Sequence, residues 1–172
     1  MSYDYTQARS ACLNTVIADG KPHKKVKLKS DEVDITPMML VYPSTAASGL
    51  FDQAPDNYGG ADGEGFVYLV EIPHDYPGRD NFDKTTAFAD LAEYEGYRCQ
   101  KNREYHVISG DLTGEYEGLI LKCGAAGIVD EPAVAANTTP DTIGHGFVLI
   151  KGVSTTESIV EYIGLIHYDD SA

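Results

Sequence analysis

The chain of 172 residues has no tryptophan, three cysteines and 13 lysines and arginines against 27 acidic residues. The cysteines, Cys12, Cys99 and Cys123, are odd in number and far apart, which excludes a disulfide framework and fits a reducing compartment. A formal charge of −14 repels phosphate backbones, so nucleic acid is excluded as a partner. No run approaches the roughly 18 apolar residues that span a bilayer, so no membrane partner is expected. The opening MSYDYTQARSACLNTVIADG lacks a basic segment followed by an apolar one, and the chain is read as starting at its mature end.

Catalytic vocabulary is equally sparse. The motifs GxSxG, CxxC and HExxH are missing. Cys99 precedes His106 on adjacent strand candidates, yet a cysteine in a β-core ordinarily acts as a small hydrophobe. His23, His74, His106, His145 and His167 show no i, i+2 or i, i+4 pair that chelates a transition metal, and His145, between Gly144 and Gly146, reads as a turn before a strand. Asp56, Asn57, Asp62 and Glu64 lie in a glycine-rich stretch, but their spacing matches no calcium loop, and glycine with aspartate is the composition of turns. Asp130 with Glu131, and Asp169 with Asp170, read as solvated strand ends. No catalytic, cofactor or metal residue is assigned, and the chain is not read as an enzyme.

What is present is a foldable, strand-rich sequence. With 42% hydrophobic residues and this length, one core is expected. Ala8, Cys12 and Val16 recur every four residues, which predicts a short N-terminal helix with a thin apolar face. Lysines then crowd GKPHKKVKLKS, where Val26 and Leu28 alternate with Lys25, Lys27 and Lys29 as on an edge strand. Residues 1–30 are taken as an N-terminal arm, and residues 31–172 as a single β-rich domain. FVYLVEI, from Phe66, is strand-like. TTAFADLAEYEGY is ambiguous: its flanking glycine and aromatics suit short strands, while Phe88, Leu91, Ala92 and Glu95 fit one helix face, and it is assigned to a helix.

Beyond it YRCQ, EYHVISG, GLILKCG, GIVDEP, GFVLIKGV and SIVEYIGLIHYDD follow at the short intervals of a β-sandwich or small β-barrel. The last of these alternates Ile159, Glu161, Ile163, Leu165 and His167 with Val160, Tyr162, Gly164, Ile166 and Tyr168. Both sets are largely apolar, so the strand is expected at the centre of a sheet.

Twelve tyrosines suit protein contact, because tyrosine brings apolar area and one hydroxyl at low entropic cost. The stretch at 44–65 is long, small and polar, and loops of this length tend to be functional. Leu50, Phe51 and Tyr58 are its apolar anchors and are assigned as protein-interface residues.

From Phe66 to Tyr168, the order FVYLVEIP, TTAFAD, YRC, EYHVISGD, LILKCGAAGIVDEPA and a closing GFVLIKGV with SIVEYIGLIHYD resembles the decoration, or cement, proteins of tailed-bacteriophage capsids. The likeness covers roughly the last 60% of the chain and carries no catalytic residues. It implies a mainly β body, made in the host cytoplasm and located on the virion surface, that binds the major capsid protein and stabilises the shell. It also implies a homo-oligomer, trimer or dimer, on the lattice symmetry axes. The alternatives are a cytosolic ligand-binding or enzymatic β-domain with its site near the 44–65 loop, and a phage tail or baseplate component.

Overall fold

The structure, a computed structural model, describes residues 24–31, 34–46, 48–59, 65–72, 87–132 and 142–168. The expected N-terminal helix and residues 1–23 of the arm lie outside them. The described part is mainly β, built from two antiparallel five-stranded sheets in a sandwich.

In the first sheet the order is β1 (Lys25–Lys29), β5 (Glu93–Arg98), β4 (Tyr68–Val70), β2 (Leu40–Pro43) and β3 (Phe51–Gln53). In the second it is β6 (Arg103–Ile108), β10 (Glu157–Tyr168), β9 (Thr142–Ser154), β7 (Ile120–Cys123) and β8 (Val129–Asp130). Of the two architectures left open by the sequence, the sandwich is the one found. The ends of the outer strands do meet, through the isolated bridges Ser30 to Phe51 and Ser109 to Val129. Neither bridge extends into a ladder, so neither sheet closes into a barrel.

Period-two patterning places the core. Leu40 and Leu69 point at the second sheet, where Tyr105, Val107, Leu121, Phe147, Leu149 and Val160 meet them. Their neighbours Val41 and Val70 face the other way, into a second cluster with Leu28, Ile35, Met39 and Tyr94. Each such side chain contributes about 1.5–3 kcal/mol when fully buried. The first sheet is thus apolar on both faces.

The lysine-rich alternation forms an edge strand, as expected. Leu28 of β1 is buried, while Lys25 reaches Glu71 at 3.0 Å and Glu95 at 2.6 Å. The expected helix over 85–97 is replaced, within its described part, by a turn and a strand. Leu91 takes a left-handed backbone (φ 59°) and β5 begins at Glu93. Tyr94 and Gly96 then point inward between exposed Glu93 and Glu95, and Phe88 stacks on Tyr94 at 4.7 Å. A side chain at Gly96 would meet the Leu69 carbonyl oxygen at 2.6 Å, so the glycine that weakens a helix is what lets β5 lie against β4.

β10 is central, between β6 and β9, as its two apolar faces predict. Its simple alternation does not persist, because Tyr162 pairs with Phe147 and Gly164 with Gly146, leaving Ile163 as an extra residue. Gly164 (φ 91°) absorbs the bulge. Past it Leu165 shares the side of His145, and Ile166 and Tyr168 take the face opposite to Tyr162.

Candidate interaction surface and the docked turn

The 44–65 stretch is fastened to the second sheet by its turn at residues 56–59. Asn57 donates its backbone N–H to the Cys123 carbonyl at 2.9 Å, and Tyr58 accepts from the His145 N–H at 2.8 Å. The turn therefore continues alongside β9 where β7 stops. Gly144 makes this approach possible, since a Cβ there would stand 2.5 Å from the Tyr168 hydroxyl and 3.1 Å from the Tyr58 carbonyl oxygen. His145 accordingly lies within β9 and not in a turn before it, and its flanking glycines are room for close neighbours.

Two side chains of the second sheet hold the turn. Lys122 is buried, and its ammonium donates to Asp56 Oδ1 at 2.7 Å and Asn57 Oδ1 at 3.1 Å. The Tyr168 hydroxyl donates to the same Asn57 oxygen at 2.8 Å. On the other side Tyr58 stacks on the His145 ring at 5.2 Å and lies tilted against Tyr42 at 4.8 Å. His145 Nε2 lies 2.9 Å from the Gly65 carbonyl oxygen, which can only accept, so Nε2 carries the proton and Nδ1 accepts from the Tyr162 hydroxyl at 2.7 Å. Burial holds the pKa of this imidazole below its usual value.

The remaining candidates are structural. Burial pushes the Cys99 thiol well above its usual pKa, and Cys123 follows for the same reason, which suits core side chains and not nucleophiles. His106 is buried and faces Glu157 at 3.1 Å. The structure does not bring it together with Cys99 in any contact it records. Of the acidic stretch, Asp56 and Asn57 already hold the lysine ammonium, while Asp62 and Glu64 lie outside the described residues. No group of His, Cys, Asp and Glu among the described residues is arranged for a metal ion.

Leu50, Phe51 and Tyr58 are all half-buried. Leu50 closes a turn through its carbonyl, which accepts from the Ser44 N–H at 2.8 Å. Phe51 sits edge-on to Tyr68 at 5.3 Å against the second apolar cluster, and Tyr58 lies against His145 and Tyr42. These three side chains are not brought into one patch by any recorded contact between them.

A groove missed by the sequence reading runs along the second sheet. It is lined by Tyr116, Leu119, Ile120, Pro132 and His167, with a volume of about 340 Å³. Tyr116 and Ile120 are 66% and 41% exposed, large apolar surfaces with no cover among the described residues. Glu131 lines the same groove, and partial burial together with neighbouring Glu115 and Asp130 raises its carboxyl pKa. The lining thus carries one carboxylate, with two further acidic residues near it. Only GLILKCG hinted at this surface, since Ile120 and Leu121 are consecutive apolar residues and one of them must face outward on a strand.

No protein-family model matches the chain, and no curated protein matches it in sequence. No described helix is long and apolar enough to cross a membrane.

Proposed function

We propose that this chain is a structural virion protein that binds the outer surface of a phage capsid and stabilises the shell. The observation that carries the reading is the open groove beside exposed Tyr116 and Ile120, lined mainly by apolar residues with Glu131 among them. Such a surface has the make-up of a contact patch: an aromatic and an aliphatic anchor that lose water on docking, with charge beside them that sets orientation. Of the polar side chains of this sheet, Lys122 and Tyr168 engage the docked turn and His145 the Gly65 carbonyl. The order of strand segments from Phe66 to Tyr168 supports the same reading through its resemblance to cement proteins.

On a lattice each subunit is presented to many equivalent neighbours, so a modest contact is retained strongly when the chain assembles as a symmetric trimer or dimer. The test is sedimentation of the purified chain with empty shells assembled from the major capsid protein of the phage that carries the gene. The wild type is expected to travel with the shells. Tyr116→Ala and Ile120→Ala are expected to release it by about 1–4 kcal/mol each while melting like the wild type. A chain that stays at the top of the gradient at high shell concentration contradicts the proposal.

A further inference from the structure

We propose that Lys122 and Asn57 form an intramolecular isopeptide bond, with Asp56 as the proton-transfer group and Tyr168 as the oxyanion donor. The Lys122 amine nitrogen stands 3.1 Å from the Asn57 amide oxygen and 2.7 Å from an Asp56 carboxylate oxygen. The carbonyl carbon is bonded to that amide oxygen, so the amine is held next to the group it would attack. Effective molarity from such positioning is what lets an unreactive amide be attacked at all. The Tyr168 hydroxyl donates to the same amide oxygen at 2.8 Å, where negative charge develops during attack. The lysine side chain is only 8% exposed, so its nitrogen is held among these groups and not in bulk water.

The step balances without any outside reagent. Asp56 takes a proton from the Lys122 ammonium, and the neutral amine attacks Asn57 Cγ, placing an oxyanion on Oδ1 beside the Tyr168 hydroxyl. Asp56 then relays a proton from the attacking nitrogen to Nδ2. The Cγ–Nδ2 bond breaks, the ammonia leaves with the proton that Asp56 had taken from the lysine, as ammonium, and Asp56 returns to carboxylate. One Nζ–Cγ bond is formed, one Cγ–Nδ2 bond is lost, and there is no change of oxidation state.

The bond ties the 56–59 turn to β7 and closes a covalent ring from residue 57 to residue 122. The sandwich then cannot release the turn even when the sheets loosen, a benefit that is largest for long loops. The inference stands on the Lys122 geometry alone and does not depend on the virion reading.

Peptide mapping of the purified full chain by mass spectrometry tests it. The expected result is a linked pair of peptides joined through Lys122 and Asn57, lighter than the sum of the separate peptides by about 17 Da, one ammonia. Asp56→Asn is expected to slow formation by about 100-fold or more, as loss of a general base does, and Tyr168→Phe to slow it less. Circular dichroism of each variant shows whether it is folded, and Lys122→Arg supplies the unlinked folded reference. Separate Lys122 and Asn57 peptides of full mass in wild-type protein, after prolonged incubation at neutral pH, overturn the proposal whatever the variants do. A link that loses water, about 18 Da, would assign the acyl partner to Asp56 and overturn the Asn57 assignment.

Discussion

His145 is the side chain on which the docking of the 56–59 turn is most sensitive to pH. Its neutral form is fixed by the Gly65 carbonyl on one nitrogen and the Tyr162 hydroxyl on the other, and burial lowers its pKa from 6.5. A depressed folded-state pKa means that the unfolded chain binds the proton more readily. The stabilising contribution is therefore complete above pH 6.5 and is lost as pH falls below it toward the folded value. The melting temperature is expected to fall between pH 7 and pH 5, and His145→Gln to flatten that part of the profile. An unchanged slope in the variant would assign the effect to other groups. Beside it, the side-chain oxygens of Asp56 and Asn57 are already engaged by Lys122. Added calcium or a chelator is accordingly expected to leave the melting temperature unchanged, and a rise of several degrees with calcium would contradict this.

At the scale of elements, the two sheets touch through a glycine. Gly127 takes φ 69°, donates its N–H to the Ala54 carbonyl at 2.9 Å, and would place a Cβ 2.5 Å from the Leu40 carbonyl oxygen. Gly127→Ala is expected to cost about 2–3 kcal/mol, from a strained backbone added to a clash that neither strand can relieve, and denaturant unfolding reads it directly. Phe51→Ala separates two roles of β3. Its half-buried ring on Tyr68 predicts a loss of about 1–3 kcal/mol in folding stability, whereas a purely interfacial Phe51 would leave melting intact and weaken only association.

The strands themselves were legible in the sequence because period-two patterning and turn residues recur from YRCQ to the end. So was the edge character of β1, since lysines alternate with Val26 and Leu28. The helix assigned around Phe88 failed because an i, i+3, i+4 pattern was read across a turn; Leu91 in the left-handed region breaks it. The bulge at Ile163 was hidden for a different reason. It depends on register with β9, a property of two strands that one strand's alternation does not encode. The Lys122, Asp56, Asn57 and Tyr168 cluster joins Asn57 to Tyr168 across 111 positions, and no local motif marks it.

The described residues form a β-sandwich in an acidic chain, in which the turn at 56–59, beyond β3 of the 44–65 stretch first read as a loop, is pinned to the second sheet, and Tyr116 beside the groove faces solvent. With a net charge of −14, the proposed binding to a lattice is expected to strengthen with added salt if the shell surface is also acidic and to weaken if it is basic. Glu131 in the groove's lining predicts the second case, and sedimentation at two ionic strengths distinguishes them. The protein composition of purified virions tests the central claim most directly. The account predicts this chain in intact particles at a constant ratio to the major capsid protein, reached by antibody without opening the shell. Its presence in infected-cell lysate but absence from purified particles would contradict it.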